Sequence, residues 1–194
     1  MSDTASDQVI AQTRAWVNRA VIGLNLCPFA KAVQMKNQIR YVVSDAGDEA
    51  GLLMALCGEL RFLARADPEQ LDTTLLIHPR VLGEFARFNE FVGSADAALQ
   101  TMGYEGLIQL ASFHPHYQFA GTDAGDVSNA TNRSPYPTLH LLREASVTRA
   151  VAAFPKAAAI FEANIRTLQA LGLEGWEAVQ AHCKRDAQRP SEEQ

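Results

Sequence analysis

The sequence contains little cysteine, no excess of basic charge and no long apolar run. Its three cysteines, Cys27, Cys57 and Cys183, lie far apart and form no CxxC pair, so neither a disulfide framework nor a cysteine-rich zinc site is indicated. A net charge of -5 provides no basic field for binding nucleic acids or anionic membranes. No segment approaches the roughly 18 apolar residues of a transmembrane helix, and the N-terminus lacks the pattern of a signal peptide. We therefore expect a cytoplasmic protein without nucleic-acid or membrane partners.

Common catalytic motifs are missing as well. The chain has no GxSxG, P-loop lysine, HExxH or GxGxxG sequence, which excludes the commoner hydrolase, nucleotide-binding and metalloprotease classes. Its 194 residues are 47% hydrophobic and 20% charged, a profile typical of one globular domain. We predict a single α/β domain over residues 1–187 and a disordered tail over residues 188–194.

Strand and helix patterns alternate along the first part of the chain. β-Branched and aromatic residues predict strands over 39–43, 73–78 and 107–113. Apolar residues at helical spacing predict helices over 5–22, 47–65 and 81–103, and later over 138–151, 155–171 and 174–185. Strands separated by single helices are typical of a parallel sheet. The predicted fold class is α/β, with a small, mainly parallel three-stranded sheet, packed helices and a helical C-terminal part.

Two predicted strands end in the same dipeptide, His-Pro. His78-Pro79 follows one apolar run and His114-Pro115 follows another, and proline cannot donate to a strand ladder. The carboxyl ends of parallel strands meet at one edge of a sheet, where open α/β proteins bind ligands. We therefore expect His78 and His114 to lie at one shared site. The alternative is that both are hydrogen-bonded polar residues that close strands.

The long polar segment over residues 114–137 is a second candidate for function. Loops of this length in a compact domain are usually functional or disordered, and its aromatic residues favour order. Asn132, Arg133 and Ser134 offer amide, guanidinium and hydroxyl groups that suit a carboxylate or phosphate. His140 and Arg143 are predicted on the first turns of the following helix, facing the same site. The alternative for Asn132 and Ser134 is turn formation.

Four short motifs occur together, in order, along nearly the whole chain: LCPFA at 26–30, IHP at 77–79, SFHPHYQF at 112–119 and NRSPYPTLHLLRE at 132–144. In this combination the sequence resembles a bacterial family of unknown function, domain of unknown function fourteen-fifteen. The resemblance implies no activity, cofactor or catalytic residue.

An enzyme acting on a small anionic molecule is the first hypothesis for function. In one version, His78, His114 and His116 bind a divalent transition metal such as zinc or iron, and the protein is a metal-dependent hydrolase or oxidoreductase. In a metal-free version, one histidine acts as general acid or base. The candidates are His78, His114, His116 and His140. Arg133 or Arg143 then holds the substrate's charge, and Cys27 is a candidate nucleophile.

A binding protein without turnover is the second hypothesis. The same residues would then sense or carry a metal, a haem or a small anion. Cys27 also has a structural interpretation, because a cysteine before proline in an apolar loop is often a small buried hydrophobe. Turnover assays distinguish the two classes, and no feature of the sequence indicates an oligomeric state.

Overall fold

Four strands form one mixed sheet in the computed structural model, which describes residues 3–153 and 159–188. The strands are β1 (Ile39–Val43), β2 (Thr73–Ile77), β3 (Ile108–Phe113) and β4 (Thr138–Arg143), in the order β1-β2-β4-β3. β1 is parallel to β2, whereas β4 is antiparallel to both β2 and β3. β1, β2 and β3 therefore run in the same direction, and their last residues lie along one edge, which we call the carboxyl edge.

The α/β class is confirmed, but the sheet has four strands and mixed orientation instead of three mainly parallel strands. The difference lies in residues 138–143, which were predicted to begin a helix. Leu139 and Leu141 point to one face of the sheet and are fully buried, and His140 between them points to the other. This alternation with a period of two is that of a β-strand. Because β4 lies between β2 and β3, it is hydrogen-bonded on both sides, and this pairing outweighs the helical propensity of its leucines.

Eight helical segments accompany the sheet in the described residues. They are α1 (Asp3–Trp16), a π-helix (Val17–Ile22), α2 (Ala30–Met35), α3 (Glu49–Arg65), α4 (Phe85–Thr101), a 3-10 helix (Val127–Asn132), α5 (Glu144–Ala153) and α6 (Ile160–Asp186). α4 begins at Phe85 and not at the predicted Val81. The helices predicted over 155–171 and 174–185 are largely one helix, α6, which is interrupted at Gly172 with φ 70°. Pro155 and residues 189–194 lie outside the described residues.

Helices cover both faces of the sheet. On one face, α3 and α4 pack through fully buried leucines of α3 at helical spacing, Leu52, Leu56, Leu60 and Leu63. The neighbouring Leu53 is only partly buried. On the other face, Trp16 of α1 and Leu168 and Trp176 of α6 pack with Leu75 of β2.

Within residues 3–153 and 159–188, no helix combines the length and the apolar composition of a membrane span.

Two neighbouring threonines of β2 have opposite hydrogen-bonding environments. The Thr73 hydroxyl donates to the carbonyl of Leu141 at 2.6 Å and lies 2.6 Å from Nε2 of His140. The hydroxyl of Thr74 is buried next to the leucine core and has no partner among the described residues. An unsatisfied buried hydroxyl lowers the free energy of unfolding.

We predict that Thr74→Val raises the free energy of unfolding by about 1 kcal/mol, because valine removes the unsatisfied hydroxyl with little change in shape. The matched variant Thr73→Val should lower it by about 1–3 kcal/mol, since it leaves buried partners unpaired. Urea unfolding of both variants tests this. Equal destabilisation by the two substitutions would show that the Thr74 hydroxyl is hydrogen-bonded in solution.

Candidate functional site

The carboxyl edge brings the two His-Pro motifs together, as the sequence predicts. His78 directly follows β2 and His114 directly follows β3, and β4 begins between them. The backbone N–H of His78 donates to the carbonyl of Pro137, just before β4, at 3.0 Å. Both imidazoles contact the ring of Phe88 from α4, with centroid distances of 5.6 Å for His78 and 5.1 Å for His114. One aromatic side chain thus contacts both histidines.

The hydrogen bonds of His114 define its tautomer. Its Nδ1 accepts the backbone N–H of His116 at 3.0 Å, so this nitrogen carries no proton. Its Nε2 therefore carries the proton and donates to the carbonyl of Leu82 at 3.1 Å. The side chain is fully buried, and burial lowers its pKa below the usual value. His114 is a neutral imidazole with both nitrogens engaged.

His78 has one engaged nitrogen and one unused nitrogen. Its Nδ1 lies 3.2 Å from the carbonyl of Val81, and because a carbonyl only accepts, Nδ1 carries the proton. Its Nε2 is buried and has no hydrogen-bond partner among the described residues. The side chain is 0% exposed, and this burial is the main cause that lowers its pKa to about 4. At neutral pH, His78 therefore presents an unused lone pair on Nε2.

Both imidazole donors hold one loop, residues 79–84 between β2 and α4, which we call the 79–84 loop. They donate to consecutive carbonyls, those of Val81 and Leu82, whose side chains are also buried. Leu82 has φ 58°, in the left-handed region that is unfavourable for a leucine. Backbone conformations of this kind persist where the surroundings impose them, and they are concentrated at functional sites.

A surface depression of about 530 Å³ lies against this loop. Val81 and Leu82 line it together with the start of α3 and with Arg80 and Arg87. Both arginines are exposed; Arg87 forms an ion pair with Glu49 at 2.6 Å. Arg80 donates one long hydrogen bond, of 3.4 Å, to the carbonyl of Asp45. The depression thus has two guanidinium groups, and two carboxylates from Asp48 and Glu49, beside the wall that holds the histidines.

The arginines at this edge differ from those that the sequence singled out. Arg133 donates to the carbonyls of Tyr117 at 3.2 Å and Ala124 at 2.6 Å, within its own loop. Arg80 and Arg87 were not predicted, although Arg80 directly follows His78-Pro79. The hydrophobic periodicity of a sequence does not reveal which exposed arginines line a site. For Arg80, only its position after a strand end indicates that it lies at this edge.

The amide and hydroxyl candidates of the long loop also bond to backbone. The Asn132 side chain donates to the carbonyl of Ser112 at 3.2 Å, and the Ser134 hydroxyl donates to the carbonyl of Tyr136 at 2.6 Å. Asn129, a further member of the loop, is fully buried. Its Oδ1 accepts two hydrogen bonds at 2.9 Å, and its Nδ2 donates to the carbonyl of Asp123 at 2.9 Å. These contacts fix the loop's conformation.

His140 and Arg143 lie on β4, not on a helical turn. His140 is opposite Leu75 and Ala111 in the middle of the sheet, on the face covered by α1 and α6. Arg143 pairs with the first residue of β3 and lies at the opposite edge from the two His-Pro motifs. Neither side chain lies at the carboxyl edge.

The guanidinium of Arg143 has a clear local role. It donates to three carbonyls, those of Leu63 and Ala66 at 2.7 Å and of Leu71 at 3.0 Å. Leu63 is in the last turn of α3, where carbonyls lack helical partners. Arg143 therefore caps the end of α3 and the connection that follows it.

The remaining two candidates lie in different places, His116 next to His114 and Cys27 on the other face of the sheet. His116 is exposed, and its ring centroid lies 5.8 Å from that of His114. Cys27 is half-buried, and its neighbour Leu26 packs in the cluster between the sheet and α1 and α6. This cluster is on the face opposite to α3 and α4, so the structure does not group Cys27 with His78 and His114.

The predicted metal ligands do not form a ligand set in this arrangement. Within residues 3–153 and 159–188, no three or more His, Cys, Asp or Glu side chains come together to hold a metal ion. Of the predicted ligands His78, His114 and His116, His114 has both nitrogens in hydrogen bonds, whereas His78 has one unused nitrogen. The geometry therefore supports His78 as an acceptor and gives the metal hypothesis no support.

We predict that acid reduces stability through His78. Because its folded pKa of about 4 lies below the unfolded value, the unfolded chain binds the proton first, and stability falls as pH drops from about 6.5 towards 4. His78 alone should contribute a loss of about 2 kcal/mol between pH 7 and pH 5.

Urea unfolding at the two pH values measures this loss. His78→Asn retains an N–H for the Val81 carbonyl but does not titrate. Its loss of unfolding free energy between pH 7 and pH 5 should therefore be smaller than that of the unmodified protein by about 2 kcal/mol. The control variant His182→Asn, at an exposed histidine, should behave like the unmodified protein. An unchanged loss in His78→Asn would show that the native imidazole is solvated.

Comparison with known proteins agrees with the sequence motifs. The family model described as protein of unknown function (DUF1415) matches residues 8–178, which include all four strands and the carboxyl edge. No curated protein and no solved structure gives a significant match. The predicted resemblance is confirmed, and the chain belongs to this family of proteins of unknown function.

Proposed function

We propose that the protein is an enzyme that acts on a small anionic molecule at the carboxyl edge, with His78 as the group that receives a proton or hydrogen bond from the substrate. The unused Nε2 of a fully buried imidazole carries this proposal. More than about 90% of buried polar groups in native proteins are paired. An unpaired one therefore requires an explanation, and a ligand supplies a partner.

Two exposed guanidinium groups support an anionic substrate. Arginine binds carboxylates and phosphates with a planar set of donors, and Arg80 and Arg87 both line the depression. Glu49 already pairs with Arg87, but an exposed ion pair contributes only about 0–1 kcal/mol. A substrate anion can therefore displace Glu49 at little cost. The sequence candidates Arg133 and Arg143 already bind carbonyls.

The 79–84 loop connects the depression to the histidines. Val81 and Leu82 line the depression, and their carbonyls bind the two imidazoles. His78 itself is fully buried and does not line the depression, so a substrate bound there reaches Nε2 only if the loop moves. The left-handed conformation of Leu82 costs about 1–2 kcal/mol, and its release favours movement of the loop. We expect substrate binding at Arg80 to move this loop and admit the substrate to His78.

Proton transfer fits this arrangement better than metal-dependent hydrolysis or redox chemistry. A pKa of about 4 makes His78 a weak base without substrate, but an adjacent anion favours the imidazolium and raises that pKa. The closer the pKa comes to neutral pH, the better the imidazole serves as general base.

A binding or sensing protein for a small anion is the second candidate. The low pKa of His78 also favours it, because an imidazole that stays neutral is a constant hydrogen-bond acceptor. The two functions share the same site and differ only in turnover.

Thermal unfolding with inorganic phosphate and with malonate, at constant ionic strength, tests the anion site. A ligand that binds only the native state raises the free energy of unfolding, by about 2.7 kcal/mol at a hundred times its Kd. We predict that Arg80→Ala and Arg87→Ala reduce the increase at a fixed ligand concentration. Arg166→Ala is the matched control, because Arg166 and Arg87 side chains are both 67% exposed and each pairs with a glutamate.

Two results would contradict the proposal. One is the absence of any stabilisation by either anion, and the other is a stabilisation that Arg80→Ala and Arg87→Ala leave unchanged. Turnover assays with small organic anions then separate the two candidates: loss of turnover in His78→Asn with retained anion binding supports the enzyme. Anion binding without turnover across such a set supports the sensing protein.

A further inference from the structure

The tautomer of His78 restricts what can bind to it. Nδ1 donates its proton to the carbonyl of Val81, so Nε2 of the neutral ring is only an acceptor. A ligand carbonyl or ether oxygen at this position would place a lone pair against a lone pair. A hydroxyl or N–H group would instead form the missing hydrogen bond. The unused nitrogen thus specifies a donor on the ligand.

The surroundings of Nε2 make this requirement strong. His78 is fully buried and contacts the ring of Phe88, and neighbouring His114 has no unused nitrogen to offer. In such a poorly solvated position a hydrogen bond is electrostatically stronger than in water, and an unpaired polar group is costly. A ligand with a donor is therefore favoured over the same ligand without one.

We infer that the substrate is a small hydroxylated anion, a carboxylate or phosphate ester that carries a hydroxyl group near its charge. This inference rests on the proposed anion site: Arg80 and Arg87 bind the charge, and Nε2 of His78 accepts the hydroxyl proton in a hydrogen bond. The depression of about 530 Å³ lies within the range of small-molecule pockets, about 300–1,000 Å³, so it has room for such an anion.

Pairs of anions that differ by hydroxyl groups test the inference. Lactate is compared with propanoate for the carboxylate source, and glycerol 3-phosphate with propyl phosphate for the phosphate source. Calorimetric titration of the full chain gives Kd for each. We expect the hydroxylated member of at least one pair to bind about fivefold or more tightly. The pair that shows this preference identifies the class of anion.

The variant His78→Phe removes the acceptor and keeps an aromatic ring next to Phe88. We expect it to bind both members of the preferred pair equally. If this variant does not fold, ¹⁵N NMR of the unmodified protein replaces it, because the resonance of the unprotonated Nε2 of His78 should shift with the hydroxylated anion and not with its partner.

The outcomes separate this inference from the proposed function. If none of the four anions binds, the anion site itself fails and the inference falls with it. If both members of each pair bind equally, the anion site stands and the hydroxyl inference is overturned. A preference that persists in His78→Phe, or an Nε2 resonance that does not respond, also overturns it, because another group then recognises the hydroxyl.

Discussion

Two hydrogen bonds from buried imidazoles to the carbonyls of Val81 and Leu82 determine the arrangement of residues at the carboxyl edge. They fix the 79–84 loop, which forms one wall of the depression. They also fix the tautomers, because each ring must use one N–H for this purpose. His114 then has no free nitrogen, since His116 occupies the other one. His78 keeps a single acceptor, so the loop's anchoring and the chemistry proposed for this edge depend on the same pair of side chains.

The placement of β4 makes this pair possible. With β4 between β2 and β3, the two His-Pro motifs are separated by one strand, and a side chain from α4 fills the space between their rings. Phe88 contacts both imidazoles and keeps them in an apolar environment. Directly adjacent strands would have placed the histidines closer together, in a geometry better suited to a shared metal ion. Here they act instead on neighbouring carbonyls.

Much of the fold and part of the site could be predicted from the sequence. The shared edge of His78 and His114 follows from strands that alternate with helices and from proline at both strand ends. β4 was missed because its leucines fit a helix as well as a buried strand. Arg133 and Arg143 were expected at the site because sequence reveals donors but not the carbonyls that occupy them. Arg80 and Arg87 become candidates only when the folded chain places them on one surface.

The three hydrogen bonds of Arg143 also have a consequence for the order of folding. They connect the end of β4 to carbonyls of Leu63, Ala66 and Leu71, some 70 to 80 residues earlier in the chain. β2 and β3 have no common neighbour until β4 is present between them. During synthesis, the β1-α3-β2 unit therefore emerges with the second edge of β2 unpaired, and residues 138–143 later pair with that edge. Pairing over so long a separation is slow, so we expect the pairing of β4 with β2 to be a late step of folding.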